Sequence, residues 1–580
     1  MSQSERLSAR YSRFLNRLAA RRAAFGAHAT TFVSQPEPRT IGSFARGKQL
    51  SAGNLVFAGH LVQAPDTNLW DIDPPDTAFE NETHGFAWLD DLAAAGDVPA
   101  RARAQDWLWR WITLYGAGRG PGWTPDLTGR RLIRWINHAI FLLMGRDQDQ
   151  SDAFYRSIAQ QTLFLGRRWR ATAPGLPRFE ALTGLVYAGL SLEGMEDHVE
   201  PAANALAREC GLQIDAHGGI PTRNPEELLE VFTLLTWAAV ALSESGRSPA
   251  NAHWSAIERI GPTLRTLRHA DGGLARFHGG GRGLEGRLDS ALAASGVKGR
   301  TPDGLSMGFA RLSAGRSSLI VDAATPPGGK ASSNAHASTL AFELTSGRRP
   351  VVVNCGPGAH LGADWRRAGR ATPSHSTLVL DGQSSSRLGT GPQKHDLLTD
   401  IPRDVRIEVS QAPDGLRFEG SHDGYRKHYG LTHVRKLEMT FDGRGIAGED
   451  MLLALDESGQ RRFDKTLDAT KLQGITFDIR FHLHPDVDAA VDMGGTTVSL
   501  ALKSGEIWIF RSDGSARLHL EPSVYLEKTR LKPRSTQQIV LSGRVTETSS
   551  RTRWSLAKPE GSPVGIRDLQ ADALSISGMN

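Results

Sequence analysis

The chain has 580 residues, of which 39% are hydrophobic and 23% charged, so wholesale disorder and a fibrous protein are excluded and more than one hydrophobic core is expected. Its 68 Lys and Arg against 63 Asp and Glu leave a net charge of +5, which admits an acidic partner. No basic stripe interleaved with aromatics accompanies that surplus, so nucleic acid is not expected as a partner. Cys210 and Cys355 are the only cysteines, which rules out a disulfide scaffold and a thiolate zinc cluster and predicts two reduced, buried thiols.

The first 26 residues, rich in Arg, Ala and Leu (RLSARYSRFLNRLAARRAAF), predict a basic amphipathic helix. Two readings of it stand: a helix lying on its own domain, or a membrane-surface or targeting segment. It lacks the apolar stretch and small-residue cleavage site of a signal peptide, so a cytoplasmic location is expected, with the periplasm as the alternative. No apolar run reaches the roughly 18 residues of a membrane span. The longest, Leu228–Leu242, is broken by Glu230, Thr233 and Thr236.

Helical periodicity then dominates. Helices are predicted over Ala100–Tyr115, Leu127–Leu143, Ala153–Arg170, Arg178–Leu192, Glu200–Leu212, Glu226–Ser243 and Trp254–His269. Asn224-Pro225-Glu226-Glu227 is a strong helix start, with an Asn cap, Pro at the first position and acids in the first turn. Helix after helix with no fixed repeat points to a helical toroid or solenoid. The Gly-rich stretch Phe277–Pro302 reads as a linker. Beyond it the period becomes two, with strands predicted at Phe309–Ala323, Thr339–Val353, Ser376–Leu380, Val405–Val409, Leu416–Glu419, His433–Phe441, Thr476–His482, Thr497–Leu502, Glu506–Phe510, Ala516–Leu520 and Gln537–Leu541. Asp-Gly turns between them indicate antiparallel pairing. The expected organisation is a basic extension over 1–40, a helical domain over 41–300 and an antiparallel sandwich over 301–580.

Polar residues cluster at a few places. Arg131, Arg134, Trp135 and His138 share a helix face by their spacing, downstream of Trp123. Aromatic and guanidinium groups on one face suit a sugar ring with a carboxylate, or else a buried arginine–carboxylate network. His217-Gly-Gly leads through Arg223 and Asn224 into a helix N-terminus, where free amides favour an anion; a plain capped helix is the other reading. In the strand-rich half, His336, Asn354 and His375 fall near successive strand ends and could hold a metal, although an amide is a poor zinc ligand. Tyr425 is either a proton donor and acceptor or a tyrosine packed at a sheet edge.

The stretch NAHASTLAFELTSGRRPVVVNCG, the later WRRAGRATPSHSTLVLDG, and the helical WTPDLTGRRLIRWINHA and LPRFEALTGLVYAGLSLEG together resemble heparinase II/III-type proteins over about Gly42 to Leu541. The resemblance implies an incomplete (α/α) toroid followed by an antiparallel β-sandwich. It implies β-elimination on uronate-containing acidic polysaccharide, chemistry that needs a base, a proton donor and a charge neutraliser and no required cofactor. It also implies a structural zinc in the sandwich, here with His336, Asn354 and His375 at the ligand positions. The pattern departs from the family at several points. Asn334 stands where the family has its first sandwich histidine, and Asn354 where an aspartate ligand is expected. Leu176-Pro177 replaces the neutralising Asn-His pair, and no tyrosine lies near Glu227.

The family's catalytic set is not matched residue for residue, and the chain's own polar residues Arg178, Glu180, His217, Arg223, Asn224, His336, His375 and Tyr425 are expected to form a modified lyase site. Arg178, Arg223 and Asn224 would hold the uronate carboxylate, and Tyr425 or His336 would move protons. Trp123, Arg131, Trp135, Trp365, Arg366 and Arg370 would bind the glycan, in a cleft expected between the two domains. A glycan-binding or envelope-polysaccharide-processing protein without catalysis is the alternative. A homodimer is left open.

Overall fold

The computed structural model describes residues 3–26, 29–299, 304–391 and 394–561. Chain contacts divide it into two compact units. The first takes residues 1–218, 229–261 and 289–299, and the second takes 219–228, 262–288 and 300 onward. Two segments of the helix-rich half therefore fold with the strands.

The first unit is built from helices, among them Val98–Tyr115, Pro125–Asn137, Gln148–Arg168, Leu176–Ser191 and Val199–Gln213. Capping follows the sequence: Asp97 accepts from the N–H of Ala100 at 2.9 Å, and Asp147 from that of Gln150 at 2.8 Å. Pro125–Asn137 and Leu176–Ser191 are closely packed through two facing glycines. A methyl group on Gly129 would overlap the carbonyl of Glu180, and one on Gly184 would overlap the backbone of Gly129. The pair lets the two backbones approach to a distance that no side chain would allow. The predicted helix Leu127–Leu143 breaks at His138, the C-cap of its first piece, and resumes as Ala139–Leu143. A small hairpin, Asn54–Phe57 with His60–Gln63, is the strand content the periodicity missed.

The second unit is a sandwich of two antiparallel eight-stranded sheets. One runs Val405–Ala412, Gly415–His422, Thr432–Thr440, Gly445–Leu453, Ser549–Ala557, Ile507–Ser512, Thr497–Leu502, Val487–Asp492. The other runs Arg517–Tyr525, Arg534–Val545, Ile475–Leu483, Arg349–Val353, Phe342–Ser346, Ser317–Asp322, Phe309–Ala314, with Leu378–Leu380 also paired to Ile475–Leu483. Alternation puts Leu437, Met439, Ile446, Leu500, Trp508 and Phe510 from the first sheet against Leu319, Val321, Phe342, Ile479 and Phe481 from the second in one core. The two long predicted strands each fold back on themselves. Phe309–Ala323 turns at Gly315 (φ 53°) and Thr339–Val353 at Gly347 (φ 55°), a left-handed conformation cheap for glycine. Gly445–Leu453, Val487–Asp492, Ser549–Ala557 and the helix Glu457–Ala469 were not foreseen.

The segment Phe277–Pro302 is more than a linker. Phe277 and His278 are fully buried, and Arg287–Ser295 is a helix. Cys210 and Cys355 are buried free thiols, as expected; burial pushes Cys355 up to about 11.

Candidate functional site

In the first unit the expected sugar-binding residues are interior. Arg131 is fully buried and lies 4.2 Å over the Trp111 ring. It donates to Gln161 Oε1 at 2.7 Å and to the carbonyls of His84 and Gly122 at 3.0 and 3.2 Å. Burial holds its pKa down at about 9. Trp123 donates to the Tyr115 carbonyl at 2.9 Å, and Trp135 is stacked on Phe154 with centroids 5.8 Å apart. Neither ring has a free face for a sugar, which corrects the expectation: the shared helix face is the inward one. Its neighbours Arg134 and His138 meet Asp90 at 3.3 and 2.9 Å, so the spacing marks a buried arginine–carboxylate network.

Two expected catalytic residues also prove to be braces. Arg178 bonds Glu209 at 3.1 Å and the Thr172 carbonyl at 2.8 Å. Glu180 takes both oxygens to Arg130, at 2.8 and 2.9 Å. His217 is exposed at a turn where its N–H bonds Asp215 Oδ1 at 2.8 Å.

In the second unit Arg223 is a clamp. It holds φ 50°, an unfavourable conformation for a non-glycine residue. All five of its N–H directions are used. Nε meets Met307 O at 3.0 Å, Nη1 meets Ala324 O and Thr325 O at 3.3 and 2.9 Å, and Nη2 meets Gly308 O at 2.8 Å and Asp322 Oδ1 at 2.6 Å. With every donor committed, it has none for a substrate carboxylate. Asp322 is wholly buried, and Ser338 Oγ donates to it at 2.6 Å. Burial alone would raise its pKa, but Arg223, His278 and Ser338 outweigh that and hold it well below the usual carboxylate range.

Beside this pair runs a chain of histidines. His278 Nε2 sits 3.3 Å from Asp322, and its Nδ1 accepts the His336 backbone N–H at 3.2 Å. His336 Nε2 accepts from Gly279 N–H at 3.0 Å, and its Nδ1 meets His375 Nε2 at 3.0 Å. His375 Nδ1 then donates to the Ala371 carbonyl at 2.9 Å. This network assigns the tautomers: Nδ1 carries the proton in both His336 and His375. Burial, then the neighbouring imidazoles and Arg370, pushes His336 far below its ordinary pKa; burial takes His375 down to about 4.

The zinc ligand set does not fit these residues. All four ring nitrogens are engaged, and Asn354 Oδ1 accepts from the Ser376 N–H at 3.1 Å while its Nδ2 faces Glu343 at 3.4 Å. Two spoken-for imidazoles and an amide lack the carboxylate that neutralises a divalent ion. No group of three or more His, Cys, Asp or Glu able to hold a metal occurs among the described residues. His336 is likewise too enclosed to move substrate protons.

Tyr425 is core as well: it is 1% exposed, and its hydroxyl donates to the Leu378 carbonyl at 3.0 Å. Burial pushes its pKa far above the ordinary phenol value, which removes it as a base. Arg370 is buried and bonds the carbonyls of Ala335 and Ser332, both at 2.8 Å. Trp365 is half-buried on the short helix Ala363–Gly369.

What remains of the expected site is one face around Gly279–Gly281. Asn224 caps the helix Pro225–Glu244, accepting from Glu226 and Glu227 N–H at 3.0 and 3.2 Å. A Cβ on Gly280 would sit 2.5 Å from Asn224 Oδ1, and one on Gly279 2.9 Å from Asn334 Cβ, so only glycine passes between the two asparagines. Arg366 leans over the exposed Asn334, bonding its Oδ1 at 3.2 Å and Ser333 O at 2.8 Å, and pairs with Asp396. Lys528 pairs with Glu226, whose carboxylate also accepts from Gly281 N–H at 2.8 Å. Burial would raise the Glu226 pKa, but Lys528 and Gly281 hold it below the usual range. The face thus offers amides, a guanidinium paired with Asp396 and an ammonium paired with Glu226, and Glu226 stays ionised. It suits an anionic ligand better than proton transfer.

The sequence reading missed Asp322, Glu343, Arg435 and Asp450. Glu343 accepts from Arg276 N–H at 3.0 Å and faces His269 at 3.4 Å; burial is outweighed and its pKa falls to about 2. Arg435 and His433 both meet Asp450 at 2.8 Å, with Trp554 donating to it at 3.0 Å. A charged residue closing the apolar run Leu319-Ile320-Val321, as Asp322 does in the strand Ser317–Asp322, was the available signal.

Helices followed by a two-sheet antiparallel sandwich, with a polar interior beneath a glycine-lined face, define the toroid-and-sandwich class of polysaccharide-lyase folds. The model for the C-terminal region of heparinase II/III-like proteins matches residues 297–555. A crystal structure of heparinase III is similar over 96% of this chain and 91% of its own, with a TM-score of 0.66 at 13% identity. A heparan sulfate lyase mutant from Pedobacter heparinus is similar over 90% and 83%, with a TM-score of 0.58 at 16% identity. The FtsZ-localized protein C of Caulobacter vibrioides is 30% identical over 544 residues, 90% of each chain. The chain belongs to the heparinase II/III family.

Proposed function

We propose that the protein works with the FtsZ-based division apparatus as a binding protein on a polysaccharide-lyase scaffold. The observation that carries this is the relative named for its localisation with FtsZ, alike over nine-tenths of both chains at 30% identity. The commitment of Arg178, Glu180, Arg223, His336 and Tyr425 to internal hydrogen bonds favours binding over elimination. In this reading the Asn224–Asn334–Arg366–Lys528 face takes an acidic glycan or glycan precursor in the cytoplasm, held by charge-assisted hydrogen bonds.

The test is co-sedimentation of the purified protein with FtsZ polymers, run alongside thermal shift with uronate oligosaccharides. Pelleting with polymer but not with unassembled FtsZ is the expected result; absence from the pellet overturns the division reading. A ligand-induced rise in Tm that disappears in Arg366→Ala/Lys528→Ala supports the face as the binding site.

Family membership favours a second reading, β-elimination on a uronate-containing polysaccharide. Elimination leaves a C=C conjugated to the carboxylate, so a rise in ultraviolet absorbance with a uronate substrate would establish it and displace the binding reading.

A further inference from the structure

The first sheet of the sandwich ends at Val405–Ala412, which pairs on one side only, with Gly415–His422. Asp423 N–H bonds the Asp404 carbonyl at 3.3 Å, which fixes the phase of the ladder. Antiparallel bonding alternates, so the backbone groups of Arg406, Glu408 and Ser410 turn inward to Gly415–His422. Those of Val405, Ile407, Val409 and Gln411 turn outward, away from the sheet. The strand runs eight residues without a proline or a bulge. Arg406 and all residues from Glu408 to Gln411 are exposed, Val409 by 43%.

The other three edges of the two sheets are protected against pairing with a further strand. Arg517–Tyr525 carries Pro522, a residue that blunts an edge. Phe309–Ala314 is mostly buried, with Arg311 tied to the Thr266 carbonyl at 2.9 Å. Val487–Asp492 presents Asp488 and Asp492, whose carboxylates a second copy would bring together. Val405–Ala412 has none of these devices.

Its charges are also left incomplete within one chain. Glu408 stands directly across from Glu419, and Lys436 pairs with Glu419 at 2.8 Å. Glu408 itself has no cation at ion-pair distance among the described residues. Arg406, on the same face, bonds Asp404 at 2.9 and 3.1 Å and keeps 78% of its side chain exposed. A twofold axis through Ile407 would complete both groups. Arg406 of each copy would fall opposite Glu408 of the other, at the positions where facing side chains come closest. Val405 would fall opposite Val409 and Ile407 opposite its own counterpart, each pair exchanging two backbone hydrogen bonds. Moving the axis to Val409 would set Glu408 against Ser410 and lose the ion pairs. One register therefore satisfies the backbone, the apolar side chains and the charges together.

We infer that Val405–Ala412 is the interface of a symmetric dimer of this chain, in which the two edge strands pair antiparallel about Ile407 and join two eight-stranded sheets into one. A contact of one strand per copy lies at the weak end of protein interfaces, so the dimer forms over about 1–100 μM protein.

The test is sedimentation velocity of the full chain over that range, where a reversible monomer–dimer equilibrium is expected. Arg406→Glu sets carboxylate against carboxylate at both contacts and should weaken the dimer about tenfold or more. Glu408→Arg should do the same with guanidinium against guanidinium. The double exchange Arg406→Glu/Glu408→Arg restores opposite charges and should recover the parent affinity to within about twofold. All three should leave Tm unchanged, because both side chains face water. Val409→Pro removes an outward N–H, spares the inward ladder and should abolish the dimer in a chain that still folds. A chain that stays monomeric at the top of the range overturns the inference. So does a dimer indifferent to Arg406→Glu and Val409→Pro, which places the contact elsewhere, or a double exchange that fails to restore association.

Discussion

Replacing Arg223 by Met decides between a substrate-binding arginine and an internal clamp. The side chain fills the same volume but strands Asp322, which is fully buried, and removes the donors of Met307, Gly308, Ala324 and Thr325 carbonyls. Losing one partner of a buried ion pair costs about 3–5 kcal/mol. Protonation of the stranded carboxyl limits that cost. Neutralising a group of ordinary pKa near 4 at pH 7 takes three pH units at 1.36 kcal/mol each, about 4 kcal/mol, and at pH 5 only about 1.4 kcal/mol. The carbonyls add about 1 kcal/mol apiece wherever water cannot replace the guanidinium. The variant should therefore lose at least about 4 kcal/mol at pH 7, with the deficit shrinking by about 2–3 kcal/mol at pH 5. Protonation of His278, 3.3 Å from Asp322, pulls in the same direction.

The sign is opposite in the parent. There the Asp322 pKa is depressed, so its contribution is complete above the unfolded value near 4 and disappears as pH falls further. Differential scanning calorimetry at the two pH values reads the shift in the transition of the sandwich unit. Adding Asp322→Asn to the variant should recover part of the loss, because no charge is then stranded. An unchanged transition temperature, or a deficit that does not narrow on acidification, refutes the clamp.

Gly184→Ala should destabilise the helical unit by about 1–3 kcal/mol despite alanine's better helix propensity, because its methyl meets the Gly129 backbone; thermal unfolding checks this. Tyr425→Phe should cost about 1 kcal/mol of stability for the lost bond to Leu378 and leave ligand affinity unchanged, as read by paired thermal shift and binding titration. Glu343 at about 2, with Asp322 and Asp450 also depressed, makes the sandwich's stability complete above about pH 4 and falling steadily below it. A pH series of unfolding midpoints that is flat from pH 5 down to pH 2 would contradict this.

The order of architecture was legible in the chain because periodicity is a local property: apolar residues recur at three and four positions before about residue 270 and at two beyond about 309. The Asn224 cap was legible for the same reason, since the acceptor and the amides it satisfies lie two and three residues apart. So were the two lone thiols. The direction in which a polar side chain faces was not legible. Arg131 and Trp135 sit at the spacing of a sugar-binding face, and that face turned out to pack against Trp111 and Phe154. Arg223 follows a Gly-rich loop as an anion-binding residue would, yet its partner Asp322 lies 99 positions away and was invisible to any local pattern. Long sequence separation likewise hid the meeting of Asn224 with Asn334 across Gly279 and Gly280. Local spacing sets what a segment becomes, because backbone hydrogen bonds and turns close within a few residues. Which charges are neutralised, and which are left to face a ligand, depends on pairs brought together by the sheets, and only the tertiary structure decides those.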